Sequence, residues 1–309
     1  MLSLGSLCSG YGGLDMGVNL ALASRTVWFA DTAPAAVAVH SHHWPGLPNL
    51  GDVTRIDWRT VPRVDILSAG YPCQPFSHIG RKLGSADPRH LWPHIAAGIG
   101  VLRPRVIVLE NVSAHLHRGF GEVLSDLAEL GYDAAWAIVR ASDVGAPHIR
   151  RRLFVVAADA AHGHQTDLLS VGDPPAFGGR GIGAEPVSES GVGARDLAPR
   201  IPELGAGAEL VDLGGYTCAV ARWARVRGIA APTPTRPGRQ GTHAETPEFL
   251  EWMMGLEPGH VTGVPGLSAT AMRQLFGNGV VPAQADHAVR LLARTLVETT
   301  ASPEVIRAH

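Results

Sequence analysis

Cysteine is scarce here: the 309 residues contain three, Cys8, Cys73 and Cys218, an odd number spread far apart. That excludes a disulfide framework and points to a reducing compartment. None of the three stands at metal-ligand spacing from another cysteine or a histidine, so no metal is expected. Lysine is scarcer, with Lys82 alone and every other cation an arginine, whose planar donor fork suits phosphates and base edges. No apolar run is long enough to cross a bilayer, and the start, MLSLGSLCSGYGG, lacks a basic leader and breaks into glycine early. A cytoplasmic protein with no membrane partner is the expectation. The net charge of −2 names no polyanionic partner by itself.

What the chain does have is 45% hydrophobic residues, enough for one large core and a smaller second body. Its first half alternates apolar runs with helix-like stretches. LSLGSL leads through a glycine loop into LDMGVNLALA, and TVWFA runs up to Asp31 before APAAVAVHSHH. VDILSAG, PRVIVLE, AAWAIVR and RLFVVAA continue the series, with GEVLSDLAEL among the helical stretches between them. Strands alternating with helices in this way predict an α/β fold on a doubly wound, mostly parallel sheet. Past Ala160 the pattern stops, and His162 to about Gly215 is rich in Gly, Pro, Ala and Ser and reads as loops. Order returns with CAVARWARVRG and TPEFLEWMMGL, two short helices, and with GNGVVPAQADHAVRLLARTLVET, a turn followed by a helix.

Chemistry-bearing residues gather at the ends of the predicted strands. Gly10, Gly12 and Gly13 follow the first strand and open a helix, where glycines allow a tight turn and close approach of a nucleotide. Asp31, ending the second strand, is placed to accept from ribose hydroxyls. Asp52, after a third candidate strand, is placed to accept from the exocyclic amine of an adenine; each aspartate alone could equally cap a turn or a helix.

VDILSAG is then a fourth strand, and Cys73 lies just past its carboxyl end between Pro72 and Pro75, in a loop stiffened by two fixed φ angles. An isolated cysteine there would be an ordinary apolar side chain, since a free thiol with a pKa of ~8.5 is mostly protonated at neutral pH. Its company argues otherwise. Glu110 ends a fifth strand, VIVLENV, and GAPHIRRRLFVVA sets Arg150 and Arg152 on one face of a further strand with Arg151 on the other. A thiol, a carboxylate and arginines beside an adenosine pocket suggest covalent attack on a substrate whose developing charge needs stabilising.

SGYGG, GDV, PCQPFS, ENV, the arginine strand and GNGVVP occur in an order that resembles the DNA cytosine-C5 methyltransferases, which use S-adenosylmethionine. The resemblance takes in nearly the whole chain apart from about His162 to Thr246. It implies that Cys73 is the nucleophile that adds to C6 of cytosine, that Glu110 contacts N3 and the exocyclic amine, that Arg152 holds the target base and that Arg150 supports it. Gly10, Tyr11, Gly13, Asp31, Thr32, Asp52, Val53, Pro72, Asn278 and Val280 match cofactor-pocket positions. SHIGRKLGSADPRHLW resembles the loop that closes over the extruded base, with Ser77, Arg81 and Arg89 as its expected DNA contacts. Three positions depart from the family pattern: Cys8 stands for the usual phenylalanine against adenine, His148 for a glutamine, and Asp31 for a glutamate.

The same resemblance divides the chain into a catalytic and cofactor-binding domain over 1–160, a small, loop-rich target recognition domain over 161–266, and a segment over 267–309 that returns to the catalytic domain. Arg222, Arg225 and Arg227 are candidate DNA contacts in the middle part, with Arg236 and Arg239 beyond. The implied partners are double-stranded DNA and, for half of a restriction pair, a cognate endonuclease. The implied cofactor product is S-adenosylhomocysteine, and a monomer is expected. Two alternatives stay open. One is a cytosine-C5 methyltransferase of RNA, against which stands the lack of a CFT-type signature. The other is a catalytically inactive DNA-binding relative, against which stands the joint presence of Cys73, Glu110 and Arg152.

Overall fold

A computed structural model of the chain describes residues 1–72, 91–162, 214–237 and 243–301. Six strands form one sheet in the order β2-β1-β3-β4-β6-β5: β1 (Leu2–Leu7), β2 (Ser24–Ala30), β3 (Ile66–Ala69), β4 (Val106–Val112), β5 (Tyr132–Val139) and β6 (Arg152–Asp159). The first four run parallel, and β6 is antiparallel to both of its neighbours. β3, β4 and β6 are buried on both faces, which is why they read as continuous rather than alternating apolar runs. β7 (Thr235–Pro237) and β8 (His243–Glu245) pair separately.

The two faces of the main sheet carry different helices. α1 (Gly13–Ala21) and the long α8 (Pro282–Ala301) cover one, around Val18, Val108, Phe154, Val289 and Leu292. Gly17 permits their close approach, because a Cβ there would stand 2.5 Å from that of Ala285. α3 (Trp92–Leu102) and α4 (Phe120–Glu129) cover the other face with Trp92, Ile95, Ile99, Val123 and Leu127. α2 (Pro34–His43), α5 (Thr217–Arg227), α6 (Pro247–Met253) and α7 (Ala269–Asn278) share a third core with Tyr11, Trp223 and Trp252. Burial of each large apolar side chain in these cores contributes roughly 1.5–3 kcal/mol. Helix starts follow local chemistry: Thr246 accepts from the Phe249 N–H ahead of Pro247, and Ser268 accepts from the Ala271 N–H.

The strand expected ahead of Asp52 is reduced to an isolated parallel bridge between Phe29 and Asn49. Pro45 and Pro48 have no N–H to give to a ladder, so pairing with β2 cannot extend. VDILSAG and VIVLENV therefore hold β3 and β4, third and fourth in chain order. α3 and α7 add to the helices named from the sequence.

This topology decides where chemistry can gather. The chain leaves β1 toward β2 on one side while β3 lies on the other, so the carboxyl ends of β1 and β3 border a crevice. Antiparallel β6 brings its first residue, Arg152, to the same edge, paired with Val112 at the end of β4.

Candidate active site

The glycine loop after β1 is tied to the end of β2 and the residue after it: the Cys8 N–H donates to the Ala30 carbonyl at 2.8 Å and the Gly10 N–H to Asp31 Oδ2 at 2.9 Å. Asp31 Oδ1 accepts from the Ala33 N–H at 2.8 Å. Burial nevertheless holds the Asp31 carboxyl above its ordinary range, with these backbone donors opposing the shift. Asp52 lies at the surface, where its Oδ1 accepts from both the N–H and the hydroxyl of Thr54, at 2.9 and 2.8 Å. Those bonds hold its carboxyl below the usual value. Between the two aspartates sits Cys8, in left-handed backbone at φ +54. Burial first, then the charges of Asp31 and Asp52, push its thiol up to about 12. Cys8 is thus an inert wall residue, and two carboxylates, one after β2 and one at the start of a short helical turn, present acceptors to hydroxyl or amine donors.

Tyr11 and the GNG turn lock together behind this loop. The Tyr11 side chain is fully buried and its hydroxyl donates to the Val280 carbonyl at 2.6 Å. A Cβ at Gly279 would overlap the Tyr11 ring, and one at Gly13 would meet the Val280 carbonyl oxygen at 2.1 Å. Both positions require glycine for that close approach. Tyr11 can therefore meet a bound molecule only through its backbone. Val53 and Val280 are buried, whereas Thr32, Pro72 and Asn278 are exposed around the crevice.

Glu110, on β4, is buried and lies 2.9 Å from Arg152 Nε. The ion pair is close but misses hydrogen-bond geometry, leaving Glu110 Oε1 without a hydrogen-bond partner. Burial raises the carboxyl to about 7 against the lowering pull of Arg152 and then Arg150. Such a group exchanges a proton near neutral pH, as an acid acting on a ring nitrogen must. Arg150 stands outside β6 in left-handed backbone at φ +31, so a turn, not strand alternation, brings the two arginines together. Its Nη2 donates to the carbonyls of Gly277 and Gly279, at 2.8 and 2.5 Å. Arg151 is exposed.

Cys73, Ser77, Arg81 and Arg89 lie outside the described residues, as does Arg239. The described chain stops at Pro72, and its approach is fixed: Asn111 Nδ2 donates to the Tyr71 carbonyl at 3.0 Å, and the Tyr71 hydroxyl meets His115 Nε2 at 2.9 Å. Arg222 and Arg225 are exposed on α5. Arg227 turns inward and gives its guanidinium to the carbonyls of Gly255 and Leu256. His148 Nε2 donates to the Met253 carbonyl at 3.1 Å, joining the arginine loop to α6. Among the described residues no cluster of His, Cys, Asp and Glu is placed to hold a metal, and no helix is long and apolar enough to cross a membrane.

Sequence reasoning missed Asp15. It is buried on α1 and accepts from the hydroxyls of Ser6 and Ser68, both at 2.6 Å, with Ser9 of the glycine loop bonded to Ser6 in turn. Burial raises its carboxyl to about 6. A carboxylate in the first turn of a helix looks like a dipole partner, and only the serines on β1 and β3 show otherwise. Asn111 and Gln284 were missed in the same way, since their partners are remote in sequence.

Comparison with known proteins bears on this geometry. The C-5 cytosine-specific DNA methylase family matches residues 2–171. Type II methyltransferase M1.ScrFI of Lactococcus lactis subsp. cremoris is 35% identical over 158 residues, 50% of this chain and 40% of that protein. Type II methyltransferase M.NaeI of Lentzea aerocolonigenes is 30% identical over 257 residues, 77% of this chain and 61% of that protein. The chain thus spans between 40% and 61% of the length of these two relatives. In fold it is similar to the Dnmt2 methyltransferase of S. pombe, with a TM-score of 0.58 and 16% identity over 96% of this chain and 99% of that one. The family match covers the glycine loop, β4 with Glu110 and the arginines at the start of β6, more than half of the chain, and the protein belongs to the C-5 cytosine-specific DNA methylase family.

Proposed function

We propose that the protein transfers a methyl group from S-adenosylmethionine to C5 of a cytosine turned out of double-stranded DNA, through a covalent bond between Cys73 and C6. The observation that carries this reading is the buried Glu110, its carboxyl raised to about 7 beside the Arg152 guanidinium, on the strand whose Asn111 also holds the chain leading to Cys73.

The residues at the crevice fit an adenosine-bearing cofactor. Asp31 and Asp52 offer acceptors to a ribose diol and an adenine amine, and the glycine loop leaves room for close approach. When bound, S-adenosylmethionine supplies an electrophilic methyl group and leaves as S-adenosylhomocysteine. Glu110, protonated, donates to N3 and so makes C6 electrophilic. The Cys73 thiolate adds to C6, the C5–C6 double bond opens, and C5 becomes the carbon that takes the methyl. Arg152, ion-paired to Glu110, holds the base by its carbonyl edge. Water takes up the C5 proton, the C5–C6 double bond re-forms as Cys73 leaves as thiolate, and N3 returns its proton to Glu110. Extruding the base costs a few kcal/mol, offset by contacts to DNA. Arg222 and Arg225 on α5 are proposed as contacts beyond the target base.

Bisulfite sequencing of DNA from cells expressing the protein reports the methylated site. Duplex DNA carrying 5-fluorocytosine at that site cannot lose its C5 substituent as a cation, so with S-adenosylmethionine it should give a denaturation-resistant adduct whose peptide contains Cys73. Cys73→Ser should abolish the adduct while DNA binding persists. An adduct on Cys8 or Cys218, or one surviving in Cys73→Ser, would sink the mechanism. No methylated cytosine and no adduct on bound DNA would mark an inactive DNA-binding relative.

A further inference from the structure

At the last pair of the β5–β6 ladder, Val139 with Arg152, a side chain from α8 reaches in. Gln284 Nε2 donates to the carbonyl of Val139 and to that of Arg150, each at 2.9 Å. One amide thus uses both of its hydrogens on two different segments. The side chain is fully buried and its Oε1 has no hydrogen-bond partner. A buried amide left half satisfied costs free energy that an apolar side chain of similar volume would not, so packing alone does not account for glutamine here.

What the amide holds is an unusual backbone. Arg150 has φ +31, uncommon for a side-chain-bearing residue and sustained only where the surroundings impose it. Its guanidinium is pinned by Nη2 to the carbonyls of Gly277 and Gly279. The turn before α8 therefore grips the arginine by its side chain, and α8 itself grips it by its main chain.

We propose that Gln284 is a positioning residue for the arginine pair: it fixes the backbone of Arg150 and thereby sets where Arg152, two residues on, meets Glu110. This inference rests on the proposed reaction for its effect on rate, but its geometry has a readout independent of activity. Glu110 is faced by Arg152, Arg150 and the neutral Tyr11, and the arginines lower its affinity for a proton. Loosening them should raise it.

Gln284→Met keeps the length of the side chain and removes both donors. In 13C-NMR titrations of the free protein, the Glu110 midpoint should move to higher pH than in the wild type; an unchanged midpoint in a folded variant overturns the inference. On methylatable duplex DNA, kcat should fall roughly tenfold or more, as when a reacting partner is misplaced. Binding of S-adenosylmethionine should be unchanged. Equal kcat in a variant with a native circular dichroism spectrum also overturns it. Should the methionine variant not fold, Gln284→Glu has the same length and regains one donor when protonated. Its Glu110 midpoint should lie above that of the wild type, and its kcat relative to wild type should recover as pH is lowered; a midpoint and a ratio equal to wild type throughout would end the proposal. A wild-type protein that fails to methylate counts against the reaction, while the NMR midpoints still decide the role of Gln284.

Discussion

Asn111 Nδ2 donates to the main-chain carbonyl of Tyr71 across 3.0 Å, so the residue next to Glu110 also holds the chain two positions ahead of Cys73. The proposed acid and the proposed nucleophile are thereby referred to one strand. Asn111→Ala removes this bond to a buried carbonyl and should lower stability by roughly 1–3 kcal/mol. The rate of 5-fluorocytosine adduct formation should fall further than DNA affinity does. An equal fall in both would show that the bond supports the fold and not the alignment.

Glu110 sets a pH dependence. With its carboxyl raised to about 7 by burial, the protonated form dominates below that pH and is lost above it. Plots of kcat/KM against pH should therefore fall on the alkaline side with a midpoint near 7 in the free enzyme. Glu110→Gln should be much slower and should lack that limb. A limb that persists in the variant would belong to another group.

Asp15 sets a second one, in stability. Its carboxyl is raised from 3.8 to about 6, so the native state holds more protons than the unfolded chain between those values. The contribution is fully present below pH 3.8 and is lost as pH rises through about 6, a difference of roughly 3 kcal/mol. Asp15→Asn, neutral throughout, should melt at a higher temperature than the wild type at pH 8 and at the same temperature near pH 4. A lower melting temperature at pH 8 would mean that the bonds from Ser6 and Ser68 to the ionised form outweigh its burial.

The fold was legible where burial leaves a continuous trace. VIVLE and RLFVV read as buried strands because both of their faces are covered, and the candidate residues Glu110 and Arg152 stand near the end of β4 and at the start of β6. α3 and α7 were hidden: WPHIAAGIGVL carries two helix-weakening glycines, and ATAMRQLFGN buries only Leu275 and Phe276. The bonds of Asn111, Asp15 and Gln284 could not be read at all, since each joins elements whose proximity only the completed sheet creates.

Asp52 is expected to meet the adenine amine of the cofactor. Asp52→Ala should weaken S-adenosylmethionine binding by roughly 1–3 kcal/mol. Asp52→Asn can keep the bonds to Thr54 through its remaining oxygen while offering a donor where an acceptor is needed, and should weaken binding similarly. Calorimetry showing wild-type affinity in the asparagine variant would remove Asp52 from the pocket.

Arg222 and Arg225 are exposed on α5, Arg222 with a long bond from its Nε to the Gly145 carbonyl, whereas Arg227 gives its guanidinium to the carbonyls of Gly255 and Leu256. Replacing the first two with alanine should lower the salt slope of DNA binding by about one unit for each phosphate that is no longer neutralised. A changed sequence preference at equal slope would indicate that they touch bases instead. Unaltered binding would make α5 an ordinary solvated face.

The hydroxyl of Tyr11 bonded to the Val280 carbonyl, with Gly17 packed against Ala285, also bears on biosynthesis. The loop after β1 is completed by residues made 269 positions later. While the chain is still growing, α1 has no α8 to close over it, and the apolar side of the sheet that both will cover stays open to chaperones and proteases. A nascent chain stalled at Asn278 should be cleaved readily within α1, and synthesis onward through α8 should protect it, so that the closed loop appears all at once and only after α8 has been made.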